Sequence, residues 1–169
     1  MPNYCDFTMK IVGSRKDCRT FMTRLVSYDV PNHFYRIFEA DAYDEFEEGN
    51  RLSLYIAGYC AWSLDTCCRA SGYSEGIDLF AVNTRELKLK MEAYSREPGA
   101  DFEEHYIYDN GECLEDSCVD TETWYWNTTE FPTYEAFKGE YPDAPPEDTF
   151  VEGTAIIGGL GDGYGYWNI

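Results

Sequence analysis

The stretch YCDFTMKIVG, near the start of the chain, alternates Cys5, Phe7, Met9 and Ile11 with Asp6, Thr8 and Lys10. A period of two puts the four apolar side chains on one face of a strand, and that face has to be covered by something. The next segment can cover it. Ser14 with Asp17 resembles a capping pair, and Cys18, Phe21, Met22 and Leu25 recur at i, i+3, i+4, i+7, which predicts a helix over about residues 14–28. The opposite face of that helix carries Arg15, Lys16, Arg19 and Arg24 and reads as solvated.

After Pro31-Asn32, HFYRIFEADAY and RLSLYIAGY predict two strands joined around Glu47-Glu48-Gly49-Asn50. Short helices are expected at 61–70, ended by Ser71-Gly72, and at 78–86. In LKLKMEAYS, Leu87, Leu89, Met91 and Ala93 alternate with Lys88, Lys90, Glu92 and Tyr94, which predicts a fourth strand. The order β-α-β-β-α-β gives an expected fold class of α+β, a ferredoxin-like antiparallel sheet with helices on one face. FEEHYIYDNGECLEDSCVDTETWYW extends that sheet by a hairpin, because Asn110-Gly111 accepts the positive φ angles of a tight turn.

A last helix is expected at 133–139. The prolines of YPDAPPED then suit a stiff linker, so the chain divides into a domain at 1–141, a linker at 142–149 and a Gly/aromatic tail at 150–169. The tail has six glycines from Gly153 to Gly165, without the glycine spacing or the lysine of a phosphate loop. It is expected to dock on the sheet through aromatic residues such as Tyr164, Tyr166 and Trp167, or to await a partner.

Charge narrows the function more than any motif does. The formal charge is −19, and residues 97–169 hold eighteen Asp and Glu against Lys138 alone, a balance of −17. Such a half repels phosphate, which argues against direct binding of nucleic acid or anionic membrane and favours a basic protein partner. No run of 18 apolar residues and no signal-peptide pattern is present, so a cytoplasmic protein is expected. The seven cysteines, an odd number with Cys67 and Cys68 adjacent, then read as reduced packing residues. Cys60, Cys67, Cys113 and Cys118 lack the paired spacing of a zinc site, and the two histidines, His33 and His105, offer no cysteine an evident base. No metal, cofactor or catalytic residue is expected.

PNYC, at Pro2 to Cys5, and CAWS, at Cys60 to Ser63, together with EAYSREPGADFEEHYIYDNGE, resemble a ferredoxin-like family of phages, plasmids and integrative elements. The resemblance runs to about Tyr141, implies that fold and supplies no catalytic residue. Joined to the lopsided charge, it leads to an expected non-enzymatic inhibitor of a host nucleic-acid-handling defence complex, a CRISPR effector or restriction system, working by DNA mimicry. Same-face strand residues lie roughly 7 Å apart, close to the phosphate spacing of one DNA strand. The candidate contact residues are Glu103, Glu104, Glu112, Glu115, Asp116, Asp120 and Glu122 as one charged surface, with Tyr106, Tyr108, Trp124 and Trp126 as anchors. The other readings are a small-ligand or nucleotide-binding module, an enzyme of unassigned chemistry, and an accessory protein of the element, including a homodimer.

Overall fold

A computed structural model describes residues 3–69, 76–97 and 99–169. The chain forms strands β1 (Tyr4–Gly13), β2 (Ile37–Glu48), β3 (Arg51–Ala61), β4 (Lys90–Glu97), β5 (Phe102–Asp109), β6 (Glu112–Tyr125) and β7 (Thr154–Gly158), with helices α1 (Arg15–Val26), α2 (Leu64–Cys68), α3 (Leu79–Glu86) and α4 (Tyr134–Glu140). The strands form one antiparallel sheet in the order β2-β3-β1-β4-β5-β6-β7. The protein is therefore α+β.

Each helix begins on a side-chain cap. Ser14, Ser63, Asp78 and Thr133 accept from the backbone N–H three residues on, satisfying a donor that the first turn leaves free. Helix α1 stops at Val26, two residues short of the expected end, and Ala61 belongs to β3 rather than to α2. The expected Ser71-Gly72 cap lies outside the described residues. Both hairpin turns fall where expected, at Gly49-Asn50 and Asn110-Gly111, and the second has positive φ at both residues.

The alternation of β1 is realised in full. Cys5, Phe7, Met9 and Ile11 join Leu52, Leu54 and Ile56 of β3, Met91 and Ala93 of β4, and Tyr106 and Tyr108 of β5 in one core. Cys18, Phe21 and Leu25 of α1, Leu64, Cys67 and Cys68 of α2, and Leu79 and Phe80 of α3 close it. This face of the sheet is the helical face.

The opposite face is covered in part by the end of the chain. Strand β7 pairs with β6, and Leu160 N–H then donates to Glu103 Oε2 at 2.7 Å. Beyond it, Tyr164 packs 5.4 Å from the Tyr94 ring and under the Arg96 guanidinium, while Trp167 sits between Tyr94 and Tyr55. The tail docks through its aromatic residues, and this changes β4. Glu92 and Tyr94, outward residues by the alternation, are buried beneath the tail. The proline-rich segment does not act as a free linker either. Ala144 is buried, its carbonyl accepts from Lys138, and Tyr134 donates to the Pro145 carbonyl at 2.6 Å. Proline ends α4, and the chain folds back onto that helix instead of leaving it.

Candidate functional site

The β5–β6 hairpin separates the expected acidic surface into two sets. Glu103 and Glu104 are 1% and 2% exposed, so neither lies on a surface. Consecutive residues of a strand point to opposite faces, and both faces of β5 are covered here. Glu103, on the tail side, is held by Arg96 Nε at 2.6 Å and by Leu160 N–H. Glu104, on the helical side, accepts from Leu64 N–H at 2.9 Å, Asp65 N–H at 3.3 Å, Tyr106 Oη at 3.0 Å and Ser95 Oγ. Burial pushes the Glu104 carboxyl above its ordinary value, and the four donors oppose that rise.

Tyr106 and Tyr108 are likewise core residues. Burial raises both phenols, and the Tyr108 hydroxyl donates to Asp78 at 2.7 Å. Trp126 stacks on Phe137, 6.1 Å away, and donates through Nε1 to the Phe131 carbonyl, so it anchors α4. Trp124 stands 6.5 Å from Tyr141 and is half-buried.

On β6 itself the acids do reach solvent. Glu112, Asp116, Asp120 and Glu122 are exposed and Glu115 is half-buried, accepting from Ser117. Asp116 is claimed by Arg69 through two bonds of 2.8 and 2.9 Å. Downstream, Glu130, Glu135, Glu140, Asp143, Glu147, Asp148 and Glu152 are also exposed. Of the acids in residues 97–169, only Glu103, Asp109 and Asp116 have a cationic partner among the described residues. The lone cation of that half, Lys138, is bound to a carbonyl.

The basic face of α1 is not idle. Arg15 pairs with Glu47, Arg19 with Glu45 at 2.5 Å and Arg24 with Glu86 at 2.8 Å. The first two pairs use β2 acids and the third the last residue of α3.

Cys5, Cys18, Cys60, Cys67 and Cys68 are buried, and Cys113 and Cys118 are exposed on β6. Hydrogen bonding to Cys5 and Cys67, with burial, raises the Cys60 thiol, and burial raises Cys18 to about 11 and Cys68 as well. Among the described residues no group of three or more His, Cys, Asp or Glu side chains is arranged to hold a metal ion. His105 stacks on Tyr94 at 4.3 Å and faces Glu92 at 2.8 Å through Nε2.

Two groupings escaped the sequence reading. One is the buried carboxylate of Glu92, which accepts from Asn168 N–H at 2.6 Å and from its side-chain amide at 2.7 Å. No local pattern marks it, because its cover comes from 76 residues away. The other is the outer face of β2 and β3, where Glu39, Asp41, Tyr43 and Tyr59 surround a hollow. The sequence signal was the acid-rich run FEADAYDEFEE, since charged side chains are one device that blunts an edge strand.

Fold and surface together define an acidic α+β sheet protein with a large excess of unneutralised carboxylates. No family model, curated protein or solved structure matches the chain. Among the described residues no helix is long and apolar enough to cross a membrane.

Proposed function

We propose that the protein is a non-enzymatic, acidic binding protein of a mobile genetic element that occupies the basic nucleic-acid groove of a host defence complex in the cytoplasm, a CRISPR effector or restriction system. One observation carries this reading: folding leaves eleven of the eighteen carboxylates of residues 97–169 exposed and without an ion pair among the described residues. A net charge serving folding alone would have been paired or spread, because self-repulsion lowers stability. The exposed acids hold mobile cations, as duplex phosphates do, and release them to a basic groove. The contact set differs from the sequence expectation, since Glu103, Glu104, Tyr106 and Tyr108 are interior. Glu112, Asp120 and Glu122 on β6 stay in it, and the exposed acids around α4 join them.

The ferredoxin-like topology belongs to the same proposal. Strands β2-β3-β1-β4 with helices after β1 and β3 have its order, and β5 to β7 extend it. The two motifs behind the family resemblance also sit side by side. Cys5 is opposite Cys60, Tyr4 is opposite Ala61, and Trp62 N–H donates to the Asn3 carbonyl at 3.0 Å.

The reading is tested by reversing three exposed charges together, Glu112→Lys, Asp120→Lys and Glu122→Lys, and titrating binding to the partner captured from a nuclease-treated host lysate. Affinity should fall roughly tenfold or more, since charged contacts at an interface are each worth on the order of a kcal/mol. Unchanged affinity would remove β6 from the interface.

A further inference from the structure

The tail covers the sheet over β4 to β6 and reaches Lys10 of β1 and Tyr55 of β3, whereas Tyr43 and Tyr59 on the outer face of β2 and β3 stay exposed. There β2 is an edge strand with two bulges, one between Ala42 and Asp44. That bulge makes Tyr43 the unpaired extra residue and aims its ring onto the face that also carries Asp41 and Glu39. Glu39 lies directly opposite Tyr59, and Asp41 opposite Ala57, where the small side chain leaves space. The result is a hollow of about 340 Å³ that Gly58 and Asp6 also line.

The rim has a consistent chemistry. Tyr43 and Tyr59 are 57% and 45% exposed, so both rings are open to a ligand. Neither Glu39 nor Asp41 forms an ion pair among the described residues, whereas Glu45 and Glu47 on the same strand are both matched by arginines of α1. The protein thus neutralises the β2 acids paired with α1 and leaves those of the hollow unneutralised. Two carboxylates beside two tyrosine rings suit a planar cation that can donate to carboxylate and lie against an aromatic face at once. Guanidinium does both, and ammonium is the poorer stacker.

We infer that this hollow is the seat of an arginine side chain from the basic partner protein, the specific anchor of an encounter that the acidic half steers. The inference rests on the proposed function and adds where the partner is gripped and by which residue type. Charge on β6 and α4 acts over distance and raises the association rate, while the hollow contributes short-range selectivity.

The test uses two labelled peptides, hexa-arginine and hexa-lysine, titrated onto the full chain at physiological salt, with amide NMR shifts to locate the contact. Hexa-arginine should bind several-fold more tightly than hexa-lysine and shift the amides of residues 39–43 and 57–59. Glu39→Gln with Asp41→Asn should weaken hexa-arginine tenfold or more, and Tyr43→Ala should erase the preference over hexa-lysine. The charge-matched pair Asp29→Asn with Glu48→Gln, exposed acids outside both the hollow and the acidic half, should cost less than threefold. Equal losses from the two pairs, or shifts confined to β6 and α4, would overturn the hollow and leave the broader reading standing. No binding of either peptide by the unaltered protein would overturn both. Thermal unfolding of each variant should match that of the parent, as the four altered acids are exposed and make no ion pair.

Discussion

Glu92 shows how a single carboxylate can hold a chain terminus in place. Burial pushes its carboxyl up, but the donors of Asn168, with His105 and Tyr94, more than offset this and hold it below the ordinary value. A depressed folded pKa contributes stability that is present above the unfolded value, near 4.3 for glutamate, and lost as pH falls through the folded one. The tail should therefore release below about pH 4, reported by the Asn168 amide resonances moving toward their unstructured positions. Glu92→Gln should remove that acid step and destabilise the protein by about 1–3 kcal/mol at neutral pH. An acid step that persists in the variant would place the latch elsewhere. Glu104 behaves oppositely. Its raised pKa means that stability declines as pH rises from the unfolded value toward the folded one. Glu104→Ala leaves two backbone N–H groups and two hydroxyls without their acceptor, so the urea midpoint should drop by the equivalent of about 3 kcal/mol. Partner affinity should be unaffected, because the residue is interior.

Among the elements, β2 and β3 depend on one glycine. A Cβ at Gly58 would come within 2.1 Å of the Glu39 carbonyl and 2.6 Å of the Phe7 ring. Gly58→Ala should cost about 1–3 kcal/mol, since the edge strand must move away to admit a methyl group. It should also disrupt the hollow, and the two effects are separable by following the amides of β2 alongside the unfolding midpoint. Helices and turns were legible from local sequence. Ser14 with the Cys18, Phe21 and Leu25 stripe, and Asn110-Gly111, fix their own conformations through capping and positive φ. Burial of polar strand residues was not legible. Glu92, Glu103 and Glu104 follow the alternation of ordinary half-exposed strands, and only the tail and α2, remote in sequence, convert them into interior groups. The proline-rich 142–149, an expected linker, packs back onto α4 through the nearby contacts of Lys138 with Ala144 and of Tyr134 with Pro145, which its proline content does not mark.

For the whole molecule the governing quantity is the separation of charge from fold. The core lies between one sheet face and α1 to α3 and is built almost entirely from residues 1–108. Most of the excess charge lies after it, on β6, α4 and the segments that follow. Neutralising acids there should cost little stability and much affinity. Binding should also weaken steeply with salt, because the screening length shortens from about 10 Å at 0.1 M to about 3 Å at 1 M. Occupancy of a nucleic-acid groove means that the protein and the nucleic acid compete for the same partner. The partner captured from nuclease-treated host lysate is loaded with fluorescent duplex DNA, and the anisotropy is followed as the protein is added. The account predicts displacement of the DNA at one equivalent of protein and loss of that displacement at high salt. A ternary complex, in which the DNA stays bound while the protein binds as well, would contradict it.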